Sequence, residues 1–392
     1  MRIALVHDWL TGMRGGERVL DELARMFPSA DLYTLIHVPG STSAAIDALS
    51  IHVSPLSRLP GVARHYRKLL PLFPWAIERF ELGGYDLVLS SSHAFAKGVR
   101  TSPSTPHLCY CHTPMRYVWD QATAYLGNGL LRTATAPVIA GLRRHDRRTA
   151  ARVSRFVANS QAVADRVRRH YGRDARVIHP PVDVDRIRPN DKAPEDFFLL
   201  VGGFVPYKRD QLAIEAFRRL GRRLIVAGDG PLRARLEATA PANVEFTGRV
   251  ADEELADLYA RCRAVIYPQE EDFGIVAVEA QAAGRPVIAF GRGGATDSVV
   301  PLPSEAHDAR APATRAPADS HPRPQAPTQA TGLWFDEPSV GAICRAIERF
   351  ERVESKLDSS VIRAWAERFA PARFRREIED EIERTMAQVG QR

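Results

Sequence analysis

The sequence contains little cysteine and little lysine. Only four of its 392 residues are cysteines, and only five of its 54 basic residues are lysines, so arginine carries nearly all the positive charge. Four scattered cysteines exclude a disulfide framework. Cys109, Cys111 and His112 lie close enough to suggest a metal site. Because no second pair of ligands follows at zinc spacing, we interpret the two thiols as buried strand residues and predict no metal there.

Long apolar runs are also missing. No run approaches the roughly 18–20 residues that span a bilayer, and the longest, residues 197–205, contains two glycines. The apolar stretch within residues 1–8 reaches a charged residue too soon to form the apolar core of a signal peptide. Composition is ordinary for a globular protein, with 45% hydrophobic and 26% charged residues. A cytoplasmic protein of two domains is therefore expected, since one core rarely serves so long a chain.

Positive charge is concentrated in the first half of the chain. Segments 58–80 and 131–155 together carry more positive charge than the net +7 of the whole sequence. Segment 58–80 also contains several leucines and aromatic residues, a mixture that suits an anionic membrane surface. The alternative is that both segments are simply solvated faces of an arginine-rich protein. No nucleic-acid-binding module is present, so a nucleic-acid partner is not expected.

Strand and helix patterns alternate along the chain, stop at a proline-rich stretch and then begin again. This rhythm predicts an α/β protein with two doubly wound, Rossmann-like parallel sheets that face each other across a cleft. We expect a first domain at 1–178, a linker at 179–195 and a second domain at 196–370. Within the second, 303–330 lacks every large apolar residue and is predicted to be a disordered insertion. Residues 371–392 form a final helix that is expected to return to the first domain.

The most informative motif spans residues 268–288, where a strand is followed by an acidic loop and a helix. Glu271 lies in the loop and Glu279 about two turns into the helix. The unpaired amides of a helix N-terminus bind anions. The simpler interpretation is that Glu271 and Asp272 only complement the helix N-terminus while Glu279 is solvated.

The order of residues in this motif resembles the retaining nucleotide-sugar glycosyltransferases of the GT-B fold. Two glutamates are separated by seven residues that include Phe-Gly. The second glutamate begins the pattern Glu-Ala-x-Ala-x-Gly-x-Pro-Val. The resemblance covers nearly the whole chain except 303–330. It extends to four other motifs, at 15–18, 205–208, 228–231 and 246–250. Segment 111–120, together with Glu271-Asp272-Phe273-Gly274, looks most like bacterial mannosyltransferases that build O-antigen and exopolysaccharide repeats from GDP-mannose.

The resemblance implies roles for individual residues of the second domain. Glu271 would contact the transferred sugar, and Glu279 would accept hydrogen bonds from the ribose. The backbone near Val250 would meet the base. Sugar and phosphate would be held by the amides of Phe273, Gly274 and Ile275.

Four further residues would complete the site. Gly15 and Gly16 would let the main chain approach the diphosphate, because glycine has no Cβ. Lys208 would stabilise the charge of the departing diphosphate. His112 would lie under the sugar, either donating a hydrogen bond to a hydroxyl or stabilising positive charge through its carbonyl oxygen; the alternative is an ordinary strand-end histidine.

One position departs from the family pattern. Gly203 stands where family members usually carry an arginine that clamps the diphosphate. We expect either that Arg209 substitutes for it or that the backbone at Gly202 and Gly203 approaches the phosphates more closely. Asp183 and Asp185 imitate a metal-binding pair of another fold, but they lie in the linker, so no obligatory metal or other cofactor is predicted.

The sequence therefore predicts a retaining hexosyltransferase, with a nucleotide sugar as donor and a lipid-linked saccharide as acceptor. GDP-mannose is the expected donor and mannose the expected transferred sugar. The reaction would belong to lipopolysaccharide or exopolysaccharide synthesis on the inner face of the plasma membrane. A UDP-hexose or deoxysugar nucleotide remains an alternative, as does a nucleotide-sugar epimerase or hydrolase on the same fold. A third hypothesis is a non-catalytic subunit, suggested by Gly203.

Overall fold

The computed structural model describes residues 1–120, 130–190, 192–303 and 329–390. Most of the predicted insertion at 303–330 lies outside the described residues. The chain divides into two compact units, which we call unit 1 and unit 2. Unit 1 comprises Met1–Pro181 and Pro371–Arg392, and unit 2 comprises Val182–Ala370.

Unit 1 is built on a seven-stranded, entirely parallel sheet with strand order β3-β2-β1-β4-β5-β6-β7. Its strands are β1 Ile3–Leu10, β2 Asp31–His37, β3 Ser50–Val53, β4 Leu87–Ser92, β5 His107–Cys111, β6 Arg155–Ala158 and β7 Ala175–Val177. Its helices are α1 Gly15–Met26, α2 Ala44–Asp47, α3 Val62–His65, α4 Phe73–Ile77, α5 Leu130–Ala150 and α6 Gln161–Tyr171, with short 3₁₀ turns at Pro55–Arg58, Tyr66–Leu72 and Ala96–Gly98.

Unit 2 contains a six-stranded parallel sheet of order β10-β9-β8-β11-β12-β13. Its strands are β8 Phe198–Gly202, β9 Leu224–Gly228, β10 Val244–Gly248, β11 Val265–Tyr267, β12 Val287–Phe290 and β13 Gly332–Phe335. Its helices are α7 Asp210–Leu220, α8 Arg233–Ala238, α9 Asp252–Arg261, α10 Ile275–Ala282, α11 Ala295–Ser298, α12 Val340–Val353 and α13 Ser359–Glu367, with 3₁₀ turns at Pro206–Lys208 and Glu354–Lys356. The prediction of two doubly wound parallel sheets is confirmed.

Burial explains which strands the sequence reveals. Strands β1, β4 and β5 are buried along their whole length, as expected of a parallel sheet covered on both faces. Strands β3 and β7 lie at the two edges and are partly exposed. Sequence analysis missed both, because short half-exposed edge strands lack a continuous apolar run.

The C-terminal helix, α14 Pro371–Gly390, packs within unit 1. Its Glu381 is fully buried and accepts hydrogen bonds from Arg155 Nε at 2.5 Å and Arg176 Nη1 at 3.2 Å. The ring of Phe374 lies 5.7 Å from that of Tyr110 on β5. None of the helices in the described part of the chain combines the length and the apolar character needed to cross a membrane.

Candidate functional site

The acidic loop of unit 2 joins β11 to α10. Gly274, at the N-cap of α10, has φ +89°, and a Cβ built there would lie 2.2 Å from the Tyr267 hydroxyl oxygen. This position therefore requires glycine, both for its left-handed backbone and for the space that the tyrosine fills. Helix α10 begins at Ile275 with no side-chain cap, and the first amides of a helix generally lack intrahelical partners. They can bind an anion at this end of the helix.

Glu271 is held by two neighbours. Lys208 Nζ lies 3.1 Å from one carboxylate oxygen, and the Tyr267 hydroxyl donates a hydrogen bond of 3.1 Å to the other. Burial alone would lower the pKa of Lys208, but attraction to Glu271 outweighs it and raises that pKa. The ammonium group therefore stays charged. Residues 208 and 271, which the sequence placed in one site, lie side by side.

Lys208 stands on a strained turn. The 3₁₀ turn Pro206–Lys208 is bracketed by Phe204 and Arg209, which are the non-glycine residues with positive φ in the described part of the chain, at +28° and +60°. Such conformations cost of order 1–3 kcal/mol each and persist where surrounding structure enforces them. Lys208 is thus the last residue of a turn whose flanking residues are both held in strained conformations.

The loops after β8 and β9 touch through their backbones. A Cβ at Gly228 would lie 1.9 Å from the Gly202 carbonyl oxygen, and one at Gly230 would lie 2.2 Å from that of Gly203. Gly203 itself is not forced to be glycine, because a Cβ there would meet nothing nearer than Lys208 Nζ at 3.8 Å. The Arg209 guanidinium lies 4.8 Å from the centroid of the Phe290 ring.

Asp210, the first residue of α7, is a buried carboxylic acid beside this cluster. It is 2% exposed, and its two oxygens have no hydrogen-bond partner among the described residues. Burial raises its pKa to about 6, although nearby Lys208 acts in the opposite direction. Sequence analysis missed this residue, because nothing in the sequence shows that an aspartate at a helix start is buried.

Glu279 is buried in α10 and has partners that sequence analysis did not name. The Tyr259 hydroxyl donates a 3.0 Å hydrogen bond to one oxygen, and Arg186 Nη2 lies 3.5 Å from the other. The simpler interpretation of a solvated Glu279 is wrong, because the side chain is 4% exposed. Val250 follows β10 and packs against the core of unit 2.

Two glycines after β12, Gly293 and Gly294, pack against the backbone of the acidic loop. The amide of Gly294 donates a 2.9 Å hydrogen bond to the Glu271 carbonyl oxygen. A Cβ at Gly294 would lie 2.1 Å from Phe273 Cα, and one at Gly293 would lie 2.3 Å from the Glu271 carbonyl oxygen. The Arg-Gly-Gly sequence at 292–294 was the available signal for this support.

Unit 1 gathers three histidines near the start of α1. The ring centroids of His7, His93 and His112 lie 5.8–6.5 Å apart. A Cβ at Gly16 would lie 3.6 Å from His7 Cε1 and 3.7 Å from His112 Nε2, so this glycine, which follows Gly15 in the first turn, covers the cluster. Sequence analysis named His112 and the glycines but missed the other two histidines, which lie on or just after separate strands.

Two carboxylates accompany these histidines. Asp8 accepts hydrogen bonds from four consecutive backbone amides, those of residues 93–96, and lies 3.2 Å from His93 Nδ1. Burial raises the pKa of Asp8, but the histidines and these amides outweigh it, so the pKa is lowered and the carboxylate stays ionised. Burial, together with the neighbouring His93 and His7, lowers the pKa of His112 to about 3 and keeps it neutral.

The two aspartates of the predicted linker have arginine partners. Asp183 accepts a 3.3 Å hydrogen bond from the Arg186 amide, and Asp185 lies 3.7 Å from Arg363. Among the described residues, no group of three or more histidine, cysteine or acidic side chains is arranged to hold a metal ion.

The arginines of segment 131–155 contact partners within unit 1. Arg148 and Arg152 lie within 3.1 Å of Glu78, and the guanidiniums of Arg143 and Arg147 lie over the Trp119 ring. In segment 58–80, by contrast, large apolar side chains are exposed: Leu59, Leu72 and Trp75.

Comparisons with known proteins agree with this fold. A family model described as Glycosyltransferase Family 4 matches residues 13–186, and one described as Glycosyl transferases group 1 matches residues 183–304. A D-inositol 3-phosphate glycosyltransferase from Streptomyces bingchenggensis is 33% identical over 176 residues. That match covers 36% of this chain and 38% of the relative, so the chain spans well under half the length of this curated relative.

Solved structures match over almost the whole chain. The Anabaena protein HepE in complex with UDP has a TM-score of 0.67 at 17% identity, covering 98% of this chain and all of that one. Sucrose-phosphate synthase from Thermosynechococcus elongatus has a TM-score of 0.69 at 16% identity, covering 99% of this chain and all of that one. The expected GT-B fold is thereby confirmed.

Proposed function

We propose that this chain is a group 1 glycosyltransferase and that it transfers a hexose from a nucleotide sugar to a saccharide acceptor with retention of anomeric configuration. The observation that carries the proposal is the Lys208–Glu271 pair at the start of α10. It places a charged ammonium and a fixed carboxylate beside the N-terminus of a helix.

The chemistry of sugar transfer makes use of each of these groups. Breaking the anomeric bond leaves an electron-poor sugar and a diphosphate with additional negative charge. Lys208 and the amides at Gly274 and Ile275 are fixed donors for that charge, the usual source of catalytic power in such sites. Glu271 orients the sugar. One of its oxygens accepts a hydrogen bond from Tyr267, and the other contacts Lys208. The departing phosphate can accept the acceptor's proton on the same face, so no covalent nucleophile is needed.

Gly15, Gly16 and His112 are proposed to contact the donor. Neutral His112 suits contact with a sugar hydroxyl rather than with a phosphate. Glu279 and the backbone near Val250 are proposed to hold the nucleoside. No obligatory metal is proposed.

For the donor we propose GDP-mannose, on the resemblance of segment 111–120 to mannosyltransferases of O-antigen and exopolysaccharide synthesis. A UDP-hexose is the second candidate, because HepE has been crystallised with UDP and with UDP-glucose. A nucleotide-sugar epimerase or hydrolase would use the same fold without an acceptor, and a non-catalytic subunit would bind no donor.

The acceptor is proposed to be lipid-linked and presented at the anionic inner face of the plasma membrane. Exposed Leu59, Leu72 and Trp75 beside the basic residues of segment 58–80 support this docking. Membrane attraction is worth about 1 kcal/mol per nearby cation. Segment 131–155 contributes less, because most of its arginines already have partners in unit 1.

Thermal-shift screening of nucleotide sugars tests the proposal. Stabilisation grows as RT ln(1 + [L]/Kd), so the true donor should raise Tm more than its bare nucleotide does. Lys208→Met should abolish most of this shift, and the matched control Lys356→Met, at an exposed lysine of unit 2, should keep it. The absence of a shift with any nucleotide sugar would contradict the proposal.

The reaction type is tested separately. With donor and acceptor present, NMR of the product should show the donor's anomeric configuration retained. Consumption of the donor at full rate with acceptor withheld would instead identify an epimerase or a hydrolase.

A further inference from the structure

Three buried polar side chains, those of Glu17, His7 and Ser91, form a chain of contacts that leads to His112. This chain starts in the first turn of α1. Glu17 is buried, and its Oε2 accepts a 3.1 Å hydrogen bond from the Arg14 amide in a capping box. Its Oε1 lies 3.8 Å from His7 Nε2. Burial raises the pKa of Glu17, but His7 and His93 outweigh it and lower that pKa, so this carboxylate stays ionised.

Ser91 on β4 bridges two histidines. Its Oγ lies 3.1 Å from His7 Nδ1 and 2.8 Å from His112 Nε2, and both imidazoles and the serine are buried. One hydroxyl has a single hydrogen to donate, so at most one of these two nitrogens can accept from it. The other nitrogen must donate its own hydrogen to Ser91.

The charge of Glu17 decides which nitrogen donates. An ionised carboxylate facing His7 Nε2 favours a hydrogen on that nitrogen, so when the His7 ring carries a single hydrogen its Nδ1 atom carries the lone pair. Ser91 then donates to His7 Nδ1 and accepts from His112 Nε2. His112 is left with its lone pair on Nδ1, while Nε2 is the ring nitrogen that is hydrogen-bonded to Ser91.

We propose that Glu17, His7 and Ser91 are positioning residues that hold neutral His112 as the Nε2–H tautomer, so that its Nδ1 accepts a hydrogen bond from a hydroxyl of the donor sugar. This deepens the proposed function and rests on it for the identity of the ligand. It replaces the hydrogen-bond donation to a sugar hydroxyl that the sequence suggested for His112, because the hydrogen-bearing nitrogen is turned inward.

Histidine tautomers can be read directly by NMR, since the ¹⁵N shifts of imidazole distinguish a protonated ring nitrogen from an unprotonated one. The full chain, labelled with ¹⁵N-histidine and free of ligand, is measured at pH 8, above the ordinary imidazole range. The His112 signals are assigned by their loss in His112→Asn. Hydrogen on His112 Nε2 is expected, and hydrogen on Nδ1 would overturn the proposal.

Glu17→Gln gives the sharpest comparison. The Arg14 amide still needs an acceptor, so the glutamine oxygen takes the Oε2 position and its NH₂ group faces His7. His7 Nε2 must then accept, and every hydrogen along the chain reverses, so His112 should become the Nδ1–H tautomer. The matched control Glu22→Gln, at another buried glutamate of α1 that pairs with Arg375, should leave His112 unchanged.

Ser91→Ala provides a second variant in case Glu17→Gln does not fold. Without the bridging hydroxyl, both His112 tautomers should be populated. Unchanged His112 spectra in both folded variants would overturn the proposal. These spectra need no ligand, so a failed donor screen would refute the proposed function and leave the tautomer result standing.

Fluorinated donor sugars test the contact with substrate. Fluorine cannot donate a hydrogen bond, so replacing the hydroxyl that His112 recognises should weaken binding to the wild type by about tenfold, which corresponds to about 1.4 kcal/mol. The Glu17→Gln variant should lose this discrimination. Equal affinity of the wild type for every fluorinated analogue would contradict the acceptor role of Nδ1.

Discussion

The hydroxyl of Tyr267 fills the space that a side chain at position 274 would need. A Cβ on Gly274 would lie 2.2 Å from that oxygen and 2.8 Å from Cζ of the ring. The same hydroxyl donates to Glu271, so the glycine of the acidic motif and its first carboxylate are linked through a tyrosine that sequence analysis did not single out.

Removing the Tyr267 hydroxyl should loosen Glu271 without unfolding unit 2. A hydrogen bond to a charged group contributes about 1.5–3 kcal/mol, so Tyr267→Phe should lower kcat by about 10- to 100-fold. Steady-state transfer assays measure this, with Tyr259→Phe as a comparison at the second glutamate. Full activity of Tyr267→Phe would show that Glu271 does not depend on this contact.

Glycines of unit 2 should differ sharply in their tolerance of a methyl group. Gly203→Ala should leave Tm nearly unchanged, because the added Cβ meets no atom closer than 3.8 Å. Gly228→Ala should lower Tm by many degrees, because its Cβ would lie 1.9 Å from a carbonyl oxygen and its φ is +130°. Thermal unfolding measures both, and equal Tm losses would contradict the packing of these loops.

Gly203→Arg should restore a second cation beside Lys208. We expect the variant to fold and to bind the nucleotide diphosphate about tenfold more tightly, since arginine offers a bidentate partner for phosphate. Calorimetric titration measures the affinity. An unchanged Kd for the diphosphate would indicate that position 203 does not face the phosphates.

Asp210 should make the stability of unit 2 depend on pH. Its pKa is about 6 in the folded state against 3.8 ordinarily, so its proton stabilises the fold below pH 4, and that contribution is lost as pH rises towards and through 6. At pH 7.5 the ionised carboxylate therefore costs up to about 3 kcal/mol. Asp210→Asn should unfold at higher denaturant concentration than wild type at pH 7.5 and show little advantage at pH 4. An equal difference at both pH values would refute this assignment.

Glu381 should be essential for packing α14 against strands β6 and β7 of unit 1. Glu381→Ala leaves the guanidiniums of Arg155 and Arg176 without their shared carboxylate, and losing one partner of a buried ion pair costs about 3–5 kcal/mol. Chemical denaturation of the full chain measures the loss. The exposed Glu383→Ala on the same helix should change stability by less than about 0.5 kcal/mol.

The sequence by itself determined the strand–helix alternation and the position of the acidic motif. Both are local: buried parallel strands appear as short apolar runs, and the turn from β11 into α10 needs a glycine at position 274. Lys208 could be chosen as well, because lysine is rare in this arginine-rich chain and this one follows a strand and a turn. The sequence did not predict the edge strands β3 and β7, because they are short and half exposed.

Only the tertiary structure decided which side chains meet. Lys208 and Glu271 lie on loops after β8 and β11, and His7, Ser91 and His112 lie on or just after β1, β4 and β5. Strand order and register bring these positions together, and neither is encoded in the apolar pattern of a single segment. The same reason explains why the arginines of 131–155, which form a basic run in the sequence, are found beside Glu78 and Trp119.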